Sequence, residues 1–108
     1  MYDTIRVDVR ATGSGTCRVT VAGDLDVVSA PTVRDTLREA ISRHPGGVEV
    51  AQLTFCDCTG LSALLAAARA ATAAEVELRL CAVPHVLARL LRLSHTGSAF
   101  TIEKPGVR

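Results

Sequence analysis

Strand-like and helix-like apolar patterns alternate along this chain, and that alternation limits the folds open to it more than any other feature. Arg6-Val7-Asp8-Val9-Arg10 and Cys17-Arg18-Val19-Thr20-Val21-Ala22 place apolar residues at every second position, the period of a strand with one buried face. The turn-forming Thr12-Gly13-Ser14-Gly15 between them predicts an antiparallel hairpin. Gly23-Asp24-Leu25-Asp26 breaks the alternation and reads as the start of a connection.

Helical spacing follows. Pro31 suits a first turn, where its missing N–H costs nothing, and Ser29 just ahead is a candidate cap. Val33, Leu37, Ala40 and Ile41 form one apolar stripe, and His44-Pro45-Gly46-Gly47 stops the helix. Val48-Glu49-Val50-Ala51 reads as a short strand, continued by Leu53 and Phe55. A second helix starts at Thr59 or Gly60, with Leu61, Leu64, Leu65 and Ala68 on one face and helix-favouring alanines around them. Glu77 to Val83 alternates again. Pro84 opens a third helix with Val86, Leu87, Leu90 and Leu91 inward and His85, Arg89 and Arg92 outward. Gly97 closes it, and Phe100-Thr101-Ile102 makes a last strand before a polar, frayed tail over 103–108.

The order β-β-α-β-α-β-α-β predicts one α/β domain over residues 1–108. Its sheet is mixed: an N-terminal antiparallel hairpin, then parallel strands joined by right-handed crossovers, with the helices packed on the sheet. A chain of 108 residues has room for one core.

Composition narrows the function. The chain carries 12 basic and 11 acidic residues, with no clustered basic excess, and its aromatic residues are Tyr2, Phe55 and Phe100 alone. Neither a phosphate-binding surface nor a base-stacking platform is present, so nucleic acid is not the expected partner. The first six residues lack the basic and then apolar pattern of a signal peptide. Leu61 to Ala74 falls short of the roughly 20 residues a membrane helix needs and carries Arg69. The expected location is the cytoplasm, away from membranes, with Cys17, Cys56, Cys58 and Cys81 reduced. Cys17 and Cys81, in strand-like runs, are expected to be small core residues.

Chemistry-bearing residues gather at Phe55-Cys56-Asp57-Cys58-Thr59-Gly60-Leu61, where an apolar strand meets a helix. The free N–H groups and positive dipole end of that helix favour an anion. Asp57 and Thr59 are short polar residues suited to capping it. Cys56-x-Cys58 lacks the usual zinc spacing and has no further ligand pair, so no metal and no cofactor are expected. Cys58 is either a thiol activated by the helix end or a small stand-in for serine. His44, His85 and His95 lie at helix ends and do not complete a Cys-His-Asp pattern, so the reading is non-enzymatic. Thr59 could accept phosphate, which would meet the helix end and crowd Asp57 and either Asp24 or Asp26.

These residues resemble the STAS domain family. Gly23-Asp24-Leu25-Asp26 with Ser29-Ala30-Pro31 is similar to its "G-E/D-L-D…A" segment. Leu53 to Ser62 is similar to its "V-T-F-x-D-S-S-G-L" signature, and Leu80 to Ile102 to its closing helix and "F-x-I" strand. The resemblance implies a bacterial anti-sigma factor antagonist, which binds an anti-sigma factor, usually a serine-protein kinase, and frees the sigma factor for transcription. In this family the kinase phosphorylates the first serine of "D-S-S-G" and the antagonist lets go. Asp57 and Gly60 match that motif, Thr59 matches its second serine, and Cys58 stands at the phosphoserine position. Asp24 and Asp26 match acidic positions near the switch, so the implied partner surface is the outer face around Asp24 to Ser29, the Asp57 to Gly60 turn and the exposed side of the helix after it. Its residues are Asp24, Asp26, Ser29, Asp57, Cys58, Thr59 and Gly60. Glu49 stands where the family often has aspartate.

Cysteine is no ordinary kinase acceptor. Three readings stay open: a binder without the switch, phosphate on Thr59 instead, or a redox-responsive module using Cys58. STAS domains also serve in transporters and stress-signalling assemblies; without a membrane segment the transporter reading is set aside. Self-association through an edge strand or exposed helix face stays open too.

Overall fold

The structure, a computed structural model, describes residues 5–81 and 83–103. Their order is β1 (Ile5–Gly13), β2 (Thr16–Leu25), α1 (Ala30–Arg43), β3 (Gly47–Cys56), α2 (Cys58–Ala74), β4 (Leu78–Cys81), α3 (His85–Ser94), a 3₁₀ turn (Gly97–Ala99) and β5 (Thr101–Glu103). The strands lie side by side in chain order, β1 to β5. β1 and β2 are antiparallel, and the remaining neighbours are parallel, each joined through a helix. The expected α/β domain with a mixed sheet and an N-terminal hairpin is what forms.

Alternation in the strands becomes two unlike faces. Cys17, Val19 and Val21 of β2, Val48 and Val50 of β3, and Leu78 and Leu80 of β4 are all buried in one core. Val33, Leu37, Ala40 and Ile41 of α1 and Leu61, Ala63, Leu64, Ala67, Ala68 and Ala71 of α2 complete it. Each fully buried Val or Leu contributes about 1.5–3 kcal/mol relative to exposure. The intervening residues face water: Arg18 pairs with Glu49 at 3.1 Å and Arg79 with Glu77 at 3.3 Å.

Several boundaries differ from the sequence reading, each for a local reason. β2 continues through Gly23 and Asp24 to Leu25, because β3 runs unbroken to Cys56 and pairs with it there. The alternation is lost at this point because the β2–β3 register shifts between Thr20 and Asp24 and Gln52 takes a left-handed φ of 67°. α2 begins at Cys58, one or two residues before the expected start at Thr59 or Gly60. α3 ends at Ser94 with His95 left-handed (φ 58°), so Gly97 belongs to the 3₁₀ turn rather than to the helix stop. β4 occupies Leu78–Cys81 within the expected Glu77–Val83 run, and Cys81 is only half-buried, unlike Cys17. Phe100 is buried just ahead of β5, and Glu103 belongs to that strand rather than to the tail. Residues 104–108 of the expected tail, Tyr2 and Ala82 lie outside the described residues.

Candidate functional site

β2 and β3 end side by side, and this places the β2–α1 loop against the start of α2. The Asp57 N–H donates to the Leu25 carbonyl at 3.2 Å, tying the two loops together. Asp57 is extended (φ −97°, ψ −171°), and its carboxylate accepts the Gly60 N–H at 2.9 Å while its carbonyl accepts Leu61 N–H at 2.9 Å. A carboxylate in this role satisfies an orphan amide and lies at the positive end of the helix. The expected cap is therefore Asp57; Thr59 sits inside the first turn and is exposed.

Gly60 is required by space, not by φ. A Cβ there would collide with the Leu25 carbonyl and lie 2.8 Å from Leu25 Cγ and 3.0 Å from Cys56 Sγ. Its absence lets α2 approach β2 closely enough to bring the two loops into one corner. Cys56 closes the corner from beneath: it is fully buried, and its Sγ–H points to the Asp57 carbonyl at 3.4 Å. Burial, together with the nearby Asp57 carboxylate and Cys58 thiol, pushes the Cys56 thiol up to about 12. Cys58, by contrast, is exposed.

The β2–α1 loop is held by a second small network. Asp26 Oδ1 accepts the N–H groups of Val28 (3.0 Å) and Ser29 (3.2 Å), and the Asp26 carbonyl accepts that of Ala30 at 2.8 Å. The Ser29 hydroxyl donates to the Asp24 carbonyl at 2.8 Å and accepts the Asp26 N–H at 3.0 Å. Ser29, 3% exposed, precedes α1 but does not cap it with its side chain; it braces the loop instead. Val27 and Val28 are thereby pushed into solvent, 66% and 75% exposed.

The structure thus brings together Asp24 at the end of β2, and Asp26 and Ser29 on the loop that follows, with Asp57 and the first α2 residues Cys58, Thr59 and Gly60. The sequence reading took the stretch from Asp24 to Ser29 as partner surface without singling out its two exposed valines, whose signal is an apolar pair between Asp26 and its hydrogen-bonded Ser29. It missed an apolar groove beside Cys58. Val86, expected inward, is 44% exposed, Leu93 is 67% exposed, and Leu90 is half-buried. With Arg89 they line a groove of about 370 Å³ whose other wall is Asp57 and Cys58. Among its lining residues there is no histidine. Among the described residues no group of three or more His, Cys, Asp or Glu is placed to hold a metal ion. No described helix is long and apolar enough to cross a membrane.

Comparisons with known proteins agree with this architecture. The fold is similar to that of an anti-sigma factor antagonist from Mycobacterium paratuberculosis, with TM-score 0.75 and 19% identity over 95% of this chain and 87% of that one. It is also similar to the anti-sigma factor antagonist SpoIIAA in its unphosphorylated form (TM-score 0.74, 16% identity, 93% of this chain and 90% of that one). The phosphorylated form of the Bacillus cell fate determinant SpoIIAA matches with TM-score 0.70 and 16% identity, over 93% of each chain. No curated protein sequence matches the chain. The family model described as "Mlab, STAS domain" matches residues 7–98, most of the chain. On that match the chain belongs to the STAS domain family.

Proposed function

We propose that this chain is a non-enzymatic anti-sigma factor antagonist that binds an anti-sigma factor of the serine-kinase type and relieves inhibition of its sigma factor. The observation that carries this reading is the corner itself. Asp57 N–H and the Leu25 carbonyl join two loops whose residues match the family's switch motif and its acidic neighbours. The corner presents carboxylates, the exposed Cys58 and Thr59, and the Val27–Val28 tip, which is the mixture of apolar anchor and polar rim that protein interfaces use.

Cys58 at the position of the family's phosphoserine makes this an antagonist without the usual off-switch. A thiol does not serve a serine kinase as an ordinary acceptor, so the corner stays competent to bind. Phosphate on Thr59 and oxidation of Cys58 are the competing switches, both at the same exposed turn. A negative charge at position 58 would stand beside the Asp57 carboxylate and, with it, face a partner selected for an uncharged residue at that position. Cys58→Asp is therefore expected to weaken binding to the cognate anti-sigma factor about tenfold or more, since like-charge juxtaposition at an interface costs several kcal/mol. Titration calorimetry with both purified proteins checks this, and equal affinity of parent and variant removes position 58 from the interface.

A further inference from the structure

α3 carries two apolar stripes, and the fold uses only one. Leu87 and Leu91, 0% and 3% exposed, go to the core. Val86, Leu90 and Leu93, spaced by four and three residues, line the groove against Asp57 and Cys58. They make an apolar track roughly 10 Å long at 1.5 Å per residue. Leu90 is partly buried against the core, while Val86 and Leu93 at the two ends of the track are exposed.

The rim of the groove is electrically two-sided. α3 holds His85, Arg89 and Arg92 and no carboxylate. Among the described residues neither arginine has a salt bridge. The charge lining the α3 side is Arg89 and the charge lining the facing wall is Asp57, which also lacks a salt bridge among the described residues. An anionic bilayer or a nucleic acid would gain from α3 and be repelled by Asp57. A concave, apolar-floored track with opposite charges on its two sides fits a rod with matching sides.

We propose that this groove seats an amphipathic helix of the protein partner, with carboxylates along its α3 side and basic residues along its Asp57 side. The proposal rests on the reading of the chain as an antagonist that acts by binding a protein, and it adds the α3 wall and the polarity of the docked helix. It places the docked element across the Cys58 turn, so that a charge at position 58 acts on the helix directly.

The test uses the ¹⁵N-labelled full chain and a helical peptide with a leucine stripe, glutamates on one flank and lysines on the other. A peptide with the same leucine stripe and lysines on both flanks, and phosphatidylglycerol vesicles, are titrated in parallel. The expected result is saturable shifts of the Cys58, Val86, Arg89 and Leu93 amides with the first peptide. The peptide with lysines on both flanks and the Leu93→Glu and Arg89→Glu variants are expected to show binding weakened about tenfold or more, the scale of a lost interface anchor. Both substituted side chains are exposed, so folding is retained, which thermal melts of the variants verify. Equal binding of the two peptides, binding by vesicles alone, or shifts confined to other elements overturns the proposal. The same variants titrated with an anti-sigma factor separate the two claims. Parent binding with unchanged Leu93→Glu affinity rejects the groove alone; no parent binding rejects the antagonist reading, and the peptide titration then decides the groove.

Discussion

Two cysteines two residues apart have opposite chemistry, and the difference is set by where the strand ends. Cys56 is the last residue of β3 and fully buried, whereas Cys58 is the first of α2 and exposed. The Cys56 thiol, pushed up to about 12 chiefly by burial, stays protonated near neutral pH. Iodoacetamide at neutral pH is expected to label Cys58 ahead of Cys56 and the buried Cys17, which react only on unfolding; peptide mass mapping against time checks this. Gly60 is the other residue on which the corner depends. Gly60→Ala drives a methyl into the Leu25 backbone and side chain, and is expected to cost about 1–3 kcal/mol, the usual penalty of overpacking. Denaturant unfolding measures it, and an unchanged midpoint would show that α2 can retreat without cost.

At the scale of elements, helix ends decide how the site is presented. α2 begins on Asp57 and ends with Glu75 in the left-handed region (φ 59°), its N–H bonded back to the Thr72 and Ala71 carbonyls. A side chain there strains the backbone, and Glu75 is exposed with no described salt bridge to offset it. Glu75→Gly is expected to raise stability by about 1 kcal/mol without touching the corner at the far end of the helix. A thermal melt tests the gain. α3 shows why periodicity finds a helix yet misplaces its faces. Val86, Leu87, Leu90 and Leu91 all fit helical spacing, but they belong to adjacent stripes. Only the tertiary arrangement, which sets Leu87 and Leu91 over the core, decides which stripe is left outside.

At the scale of the molecule, the element order and the mixed sheet were legible in the sequence because each element carries its own period, from the Val7–Val9 alternation to the Val33–Ile41 stripe. The turn from Phe55 to Leu61 was legible as a motif for the same reason: it is local. What escaped was non-local. The pairing of Leu25 with Cys56, which prolongs β2 and staples the corner, depends on residues 31 positions apart. Ser29 looked like a cap by its position, yet the geometry of Asp26 claims it for the loop. Val27 and Val28 read as part of a connection, and their exposure follows only from that hydrogen-bonded turn. The whole chain is a STAS fold with a cysteine, Cys58, at the first-serine position of the family signature.

The most direct test is the affinity of the wild-type chain for its kinase-type anti-sigma factor before and after incubation with ATP, with mass mapping of residues 56–62. The account predicts a complex whose affinity ATP leaves unchanged and a chain without added phosphate, while Cys58→Ser takes up phosphate and dissociates. Loss of wild-type binding with phosphate on Thr59, or no complex under either condition, would contradict it.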